Sequence, residues 1–201
     1  MDAPALTAAQ HLGLWQLRSA LALMVDASER LGAEQDLVDR HPALRPYIHQ
    51  AARAGLAGLA LPDALARLDA ELQAAAPADL PLERLRRALG LDAAAVSALL
   101  LCAWLPDEPE LAPLTDALGG HEGRCTRVLL HGLDAALDRL IEGGYLQELP
   151  QGRRRVLEMP VVIATALRGQ LLRPWRHTPA AGLAAGSQLI LPEALRQAAA
   201  R

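Results

Sequence analysis

The chain contains no lysine, no asparagine and no phenylalanine; all twenty of its basic side chains are arginine. Three residue types with A/T-rich codons are therefore absent together. The missing lysine excludes a good deal of chemistry. A phosphate-binding P-loop needs a lysine after its glycines, a protein kinase needs one on a strand, and a Schiff-base enzyme needs one as its nucleophile. Aromatics amount to 2% of the chain, too few for a platform on which single-stranded nucleic acid stacks its bases. Only two cysteines are present, Cys102 and Cys125, without the short spacing of a redox or zinc motif. Nothing in their positions implies a disulfide, and a reduced cytoplasmic setting suits them. The N-terminal segment lacks a basic region followed by an apolar one, and the apolar run Val96–Leu105 is too short to span a bilayer. The expectation is a cytoplasmic protein without a membrane partner.

What is present is alanine and leucine, within a hydrophobic content of 52%, so the core is aliphatic and the favoured element is the helix. Charge is unevenly spread. Residues 1–122 carry 17 acidic and 9 arginine side chains, and residues 123–201 carry 6 acidic and 11 arginine. A C-terminal excess of arginine reads as a basic binding face or as one half of the molecule attracting the other.

Periodicity predicts a first helix over Ala8–Leu31, with Leu12, Trp15, Ser19, Ala22 and Leu23 at helical spacing and Gly32 as its C-cap. Further helices are predicted over Glu34–Asp39, Tyr47–Leu59 and Asp63–Ala75, the last two opened by Pro46 and Pro62. Ala74–Pro81 is the candidate domain boundary. Beyond it the pattern predicts helices over Leu82–Leu89, Ala93–Leu105 (capped by Asp92), Glu108–Leu118 and a long Arg124–Glu142 with a stripe of Leu129, Leu133, Leu137 and Leu140. Strands follow at Tyr145–Leu149 and Arg153–Met159, turning at Pro150-Gln151-Gly152. A short helix from Pro160 to Leu167, a loop over 173–186 and a last helix from Pro192 complete the reading.

Three helices and a hairpin are the order of a winged helix. The fold class is thus mainly α: an N-terminal helical part (1–76), a winged-helix domain with one two-stranded β-hairpin (77–172), and a C-terminal tail (173–201). In a DNA-binding winged helix, the start of the third helix and the wing meet phosphates and base edges. Here those positions hold Arg124, Arg127 and His131, and Arg153, Arg154 and Arg155. Asp134 and Asp138 share the stripe of Arg127 and His131, and two carboxylates facing a phosphate backbone weigh against that use. Trp175, between Pro174 and Arg176, is either an interface anchor or a pin holding the tail.

His121, Cys125 and His131 fall close together, but structural zinc takes four ligands at tight spacing, so no metal is expected. Cys125 and His131 lie off register for a nucleophile and its base, and no GxSxG surrounds any serine. Asp107, Glu108 and Glu110 sit where a helix N-terminus favours negative charge. The expectation is a non-enzyme without a cofactor.

The runs Leu80-Pro81-Leu82-Glu83-Arg84-Leu85, Leu89-Gly90-Leu91-Asp92, Leu99-Leu100-Leu101-Cys102-Ala103 and Pro109-Glu110-Leu111 resemble the winged-helix region of a bacterial AAA ATPase family. Thr126–Leu130, Leu140–Leu146 and Pro160–Gly169 fit its later parts, and Leu189-Ile190-Leu191-Pro192-Glu193 looks like the lead into the ATPase core. That region lies ahead of the core, in proteins found with extracellular contractile injection systems. The resemblance covers about residues 80–169 and implies an interaction or regulatory domain, with a protein partner or the ATPase core itself as ligand. The family's P-loop has no counterpart here, so none of its ATPase residues is carried over. A winged-helix transcriptional regulator binding DNA is the alternative.

Overall fold

The computed structural model describes residues 7–32, 34–75 and 80–161. Among them the chain is mainly α-helical, with one antiparallel hairpin. The helices are α1 (Ala8–Leu31), α2 (Glu34–Arg40), α3 (Arg45–Ala51), α4 (Leu61–Ala75), α5 (Pro81–Ala88), α6 (Ala93–Trp104), α7 (Ala112–Ala117) and α8 (Asp134–Glu142), and the strands are β1 (Gln147–Gln151) and β2 (Arg154–Glu158). Of the segment expected from Pro160 to Leu167 only Pro160 and Val161 are described, and those expected over 173–186 and from Pro192 lie outside the described residues, as does Trp175.

α1 matches its predicted span because both ends are set locally. Thr7 and Gln10 form a capping box, each side chain serving the other's backbone N–H, and Gly32 closes the helix with φ of 112°. Its burial is broader than one face. His11, Gln16, Arg18 and Ser19 are buried along with the apolar residues, because α2 to α6 all pack around this helix. α6 is the second pillar. Asp92 caps it by accepting the Ala95 N–H at 2.8 Å, and every residue from Ala95 to Trp104 is buried. One apolar cluster runs from Leu12 on α1 through α6 to Met159 beyond β2.

Where α1 meets α6 the contact is made by small residues, and it is polar. Ser19 Oγ donates to the Trp15 carbonyl at 2.8 Å and lies 3.1 Å from Ser97 Oγ. Arg18 donates to Ser97 Oγ at 2.7 Å and to both carboxylate oxygens of Asp69 on α4, at 2.6 and 3.1 Å. Each nitrogen of a buried guanidinium thus has an acceptor, and its charge a carboxylate, as burial of charge requires.

His11 is the other buried polar group on α1. Its Nε2 accepts the Trp15 indole N–H at 3.1 Å, which requires an unprotonated nitrogen. Burial lowers its pKa, with Arg86 adding to the effect and Glu83 opposing it. Burial beside Arg40 lowers His41 as well. A histidine lowered in the folded state leaves the unfolded chain binding more protons, so stability is full above the ordinary value of 6.5 and declines below it. The expected result is a melting temperature that falls as the pH drops below about 6.5, with a shallower fall in His11→Gln. Equal slopes for the two proteins would remove His11 from this account.

Two predicted helices are interrupted. The one expected over Tyr47–Leu59 ends as an α-helix at Ala51 and continues as a single wide turn to Leu56, because Gly55 takes φ of 78°. The long helix expected over Arg124–Glu142 begins only at Asp134. Thr126 ends an extended segment by donating to the Gly119 carbonyl at 2.7 Å, and its hydroxyl then accepts the Leu129 N–H at 3.1 Å. One helical turn follows, and Gly132, with φ of 77°, stops it before α8. Leu129, Leu137 and Leu140 are still buried, since the turn and α8 face the same core.

Candidate wing surface

The connection from α7 to α8 is longer than a helix-turn-helix needs because it contains a strand contact. Gly119 and Gly120 leave α7. Residues His121 to Arg124 then close a tight turn, with paired backbone hydrogen bonds of 3.1 and 3.0 Å. Glu122 and Gly123 take positive φ in this turn, and Asp116 on α7 steadies it by accepting the Gly123 N–H at 3.1 Å. Cys125 next pairs with Leu157 of β2, whose N–H donates to the Cys125 carbonyl at 2.8 Å. The order is therefore α7, an extended residue against the hairpin, one turn, α8 and the hairpin. The three helices expected ahead of the hairpin, Ala93–Leu105, Glu108–Leu118 and Arg124–Glu142, are represented by α6, α7 and α8, the third reduced to Asp134–Glu142.

The hairpin pairs Gln147 with Glu158, Leu149 with Val156 and Gln151 with Arg154. β1 thus runs two residues later than expected and includes Pro150. A two-stranded sheet tolerates this because the missing proline N–H can lie on its open edge. Gly152 and Arg153 make the turn, and the φ of 61° at Gly152 is what the first central position of a type II′ turn demands.

The expected site residues fall on this unit with different surroundings. Arg124 pairs with Glu158 on β2. Arg127 lies among three carboxylates, 2.7 Å from Asp138, 3.6 Å from Asp134 and 3.3 Å from Glu148. The hydrogen bond it donates to Asp138 raises its pKa, partly against burial and aided by Glu148. Arg155 is exposed and reaches Glu148 at 3.7 Å, so Glu148 is shared by two guanidinium groups. Arg154 donates to the Gly120 carbonyl at 2.7 Å, tying β2 to the turn after α7. Arg153, at the hairpin tip, is exposed and makes no ion pair or hydrogen bond among the described residues. His131 is exposed, with Nδ1 3.6 Å from Asp26 on α1.

The arginines are largely balanced by their own unit. Within residues 123–161, Arg124, Arg127, Arg139 and Arg153 to Arg155 face Asp134, Asp138, Glu142, Glu148 and Glu158, a surplus of one positive charge. The rest of the C-terminal arginine excess, at Arg168, Arg173, Arg176, Arg196 and Arg201, lies outside the described residues; among those described, His131 Nδ1 approaches Asp26 on α1 at 3.6 Å. Sequence reasoning passed over Val128, which is 61% exposed beside Arg127. Its Cγ1 also covers Gly119, where an added Cβ would meet it at 2.4 Å.

His121, Cys125 and His131 do not converge. Cys125 is fully buried and His131 is on the surface, and no group of three or more metal-ligating side chains is found among the described residues. No single helix among those residues is long and apolar enough to cross a membrane. Comparison of the chain with protein-family models, with curated proteins and with solved structures gives no match.

Proposed function

We propose that this chain is a non-catalytic protein-interaction or regulatory domain of the kind that precedes an AAA ATPase core, docking a protein partner or that core through the outer face of its wing unit. The observation that carries this reading is the internal neutralisation of Arg124, Arg127 and Arg155 by Glu158, Asp134, Asp138 and Glu148. A duplex reader keeps its guanidinium groups for phosphates, which supply most of its affinity. A surface of paired charges with an exposed Val128, and with Arg153 at the tip unpaired among the described residues, suits a protein partner better.

The test begins with the mass of the native protein in its own cell, detected with an antibody raised to this chain. A band far above 21.4 kDa, in a protein whose ATP hydrolysis changes on Val128→Asp, is the expected result. A band at 21.4 kDa would sink the ATPase-linked reading.

A second reading, a winged-helix DNA-binding regulator, is favoured by the exposure of Arg153, Arg154 and Arg155 together on the wing. It requires duplex binding that weakens steeply with salt and is lost on replacing all three with alanine. On that reading Glu148→Gln, which frees Arg155 and leaves Arg127 with only Asp134 and Asp138, tightens duplex binding several-fold. If Glu148→Gln leaves low-salt titrations flat, the DNA reading fails.

A further inference from the structure

We propose that the outer face of α3 is a docking surface for an acidic segment of a protein partner, separate from the wing unit. From Arg40 to Pro62 the chain has no aspartate or glutamate, within a half that is otherwise acidic. α3 turns Tyr47 and Ala51 inward, into the core it shares with α1. Arg45, His49 and Arg53 follow one another at intervals of four and are all exposed. At about 1.5 Å per residue they form one row roughly 12 Å long on the outer side. Its last member lies in the wide turn that ends at Leu56. Past that turn the chain shows apolar surface: Ala57, Gly58, Leu59 and Ala60 are all exposed, Leu59 by 37%.

The charge of this row is left open by the fold. His49 and Arg53 make no ion pair or hydrogen bond among the described residues. Arg45 comes no nearer than 3.9 Å to Asp39, with side chains 58% and 78% exposed, and such a pair contributes little. The wing differs, since Arg124, Arg127 and Arg155 each have a carboxylate there. A guanidinium so placed offers a fork of donors that matches a carboxylate, and His49 adds a ring N–H between two of them. The length of the row selects the partner. Asp39 stands at one end, and Asp63, exposed in the first turn of α4, follows the apolar loop at the other. A nucleic acid duplex or an anionic bilayer carries its charge well beyond such a row and would meet both carboxylates. A short acidic segment fits between them, with carboxylates two helical turns apart on Arg45 and Arg53 and an apolar side chain over Leu59.

The probe is a fluorescein-labelled peptide of three Glu-Ala-Ala-Leu repeats, titrated with the full chain at low salt and followed by anisotropy. Saturable binding is expected, weakened roughly tenfold or more by Arg45→Glu with Arg53→Glu and several-fold by Leu59→Ser. Arg45→Gln with Arg53→Gln should weaken it too, by less. Neither arginine has a buried partner, so the melting curves of both double variants should match the parent's, and lost binding then reports the surface. Arg153→Glu with Arg155→Glu makes the same charge change on the wing and should leave binding intact, as should Val128→Asp. A failure here is thereby distinguished from a failure of the wing as a docking face. Absence of saturable binding, or equal weakening by the two charge reversals, would overturn the proposal. So would tighter binding of a DNA duplex or an anionic vesicle that the α3 reversal abolishes, because the row would then serve a polyanion.

Discussion

Asp69→Ala is expected to destabilise the protein by about 2 to 3 kcal/mol, lowering its melting temperature by roughly 5 to 10 °C. The reason lies in what remains. Arg18 has 7% of its side-chain surface exposed, and Asp69 supplies its only carboxylate among the described residues. With Asp69 gone, the guanidinium keeps the Ser97 hydroxyl and the face of Trp15, 6.0 Å from the ring centroid, but its charge is uncompensated. Asp69 is itself 28% exposed, so the loss is smaller than for a pair wholly removed from water. The double replacement Arg18→Met with Asp69→Leu should recover most of that stability, because two apolar side chains of similar volume bury neither charge nor unpaired donor. Chemical denaturation of the three variants decides the matter. An Asp69→Ala protein as stable as the parent would show that water satisfies Arg18 unaided.

Gly120→Ala carries the second large effect, and it acts on the wing. A Cβ at Gly120 would stand 2.7 Å from the Thr115 carbonyl oxygen and 2.8 Å from that of Arg124. Both obstacles are backbone, so no side chain can swing aside. Relief requires breaking either the Gly120 N–H bond to Thr115, 2.8 Å long, or the tight turn from His121 to Arg124. Overpacking of this kind costs about 1 to 3 kcal/mol. It also displaces the carbonyl that holds Arg154. Gly13→Ala is the natural control. That glycine lies within α1 with nothing within 4 Å of the added carbon, so alanine should stabilise by about 0.5 to 1 kcal/mol through helix propensity. Opposite signs for the two substitutions are the expected outcome. A neutral Gly120→Ala would mean that the connection from α7 to α8 yields without strain.

Elements with local signals at both ends were legible in the sequence. Thr7, Gln10 and Gly32 delimit α1, and Asp92 with Pro106 delimits α6, because caps act within a turn of the chain. The helix expected over Arg124–Glu142 failed for a related reason. Its leucine stripe is real, but that stripe is shared by two segments, and Thr126 and Gly132 carried the division. The arginines of the wing were also legible as a group. Their partners were not: Arg127 reaches Asp138 and Glu148 across 11 and 21 positions, and Arg124 reaches Glu158 across 34. Pairs at such distances depend on the fold that closes them, which is why the arginines of residues 123–161 read as basic while that segment's surface is nearly neutral.

α6 has no outward side, and this bears on how freely its sequence can vary. A helix with one wet face tolerates exchange at roughly half its positions, since a surface side chain has no fixed shape to match. From Ala95 to Trp104 every position is enclosed, including four small residues, Ala95, Ser97, Ala98 and Ala103, of which Ser97 meets α1. Larger residues there would push the two helices apart, and smaller ones at the leucines would leave voids. Saturation mutagenesis read out by abundance should therefore show an unbroken intolerant block over these ten residues. Along α4, where Leu61, Ala64, Leu68 and Leu72 alternate with exposed neighbours, tolerance should rise and fall with the helical turn.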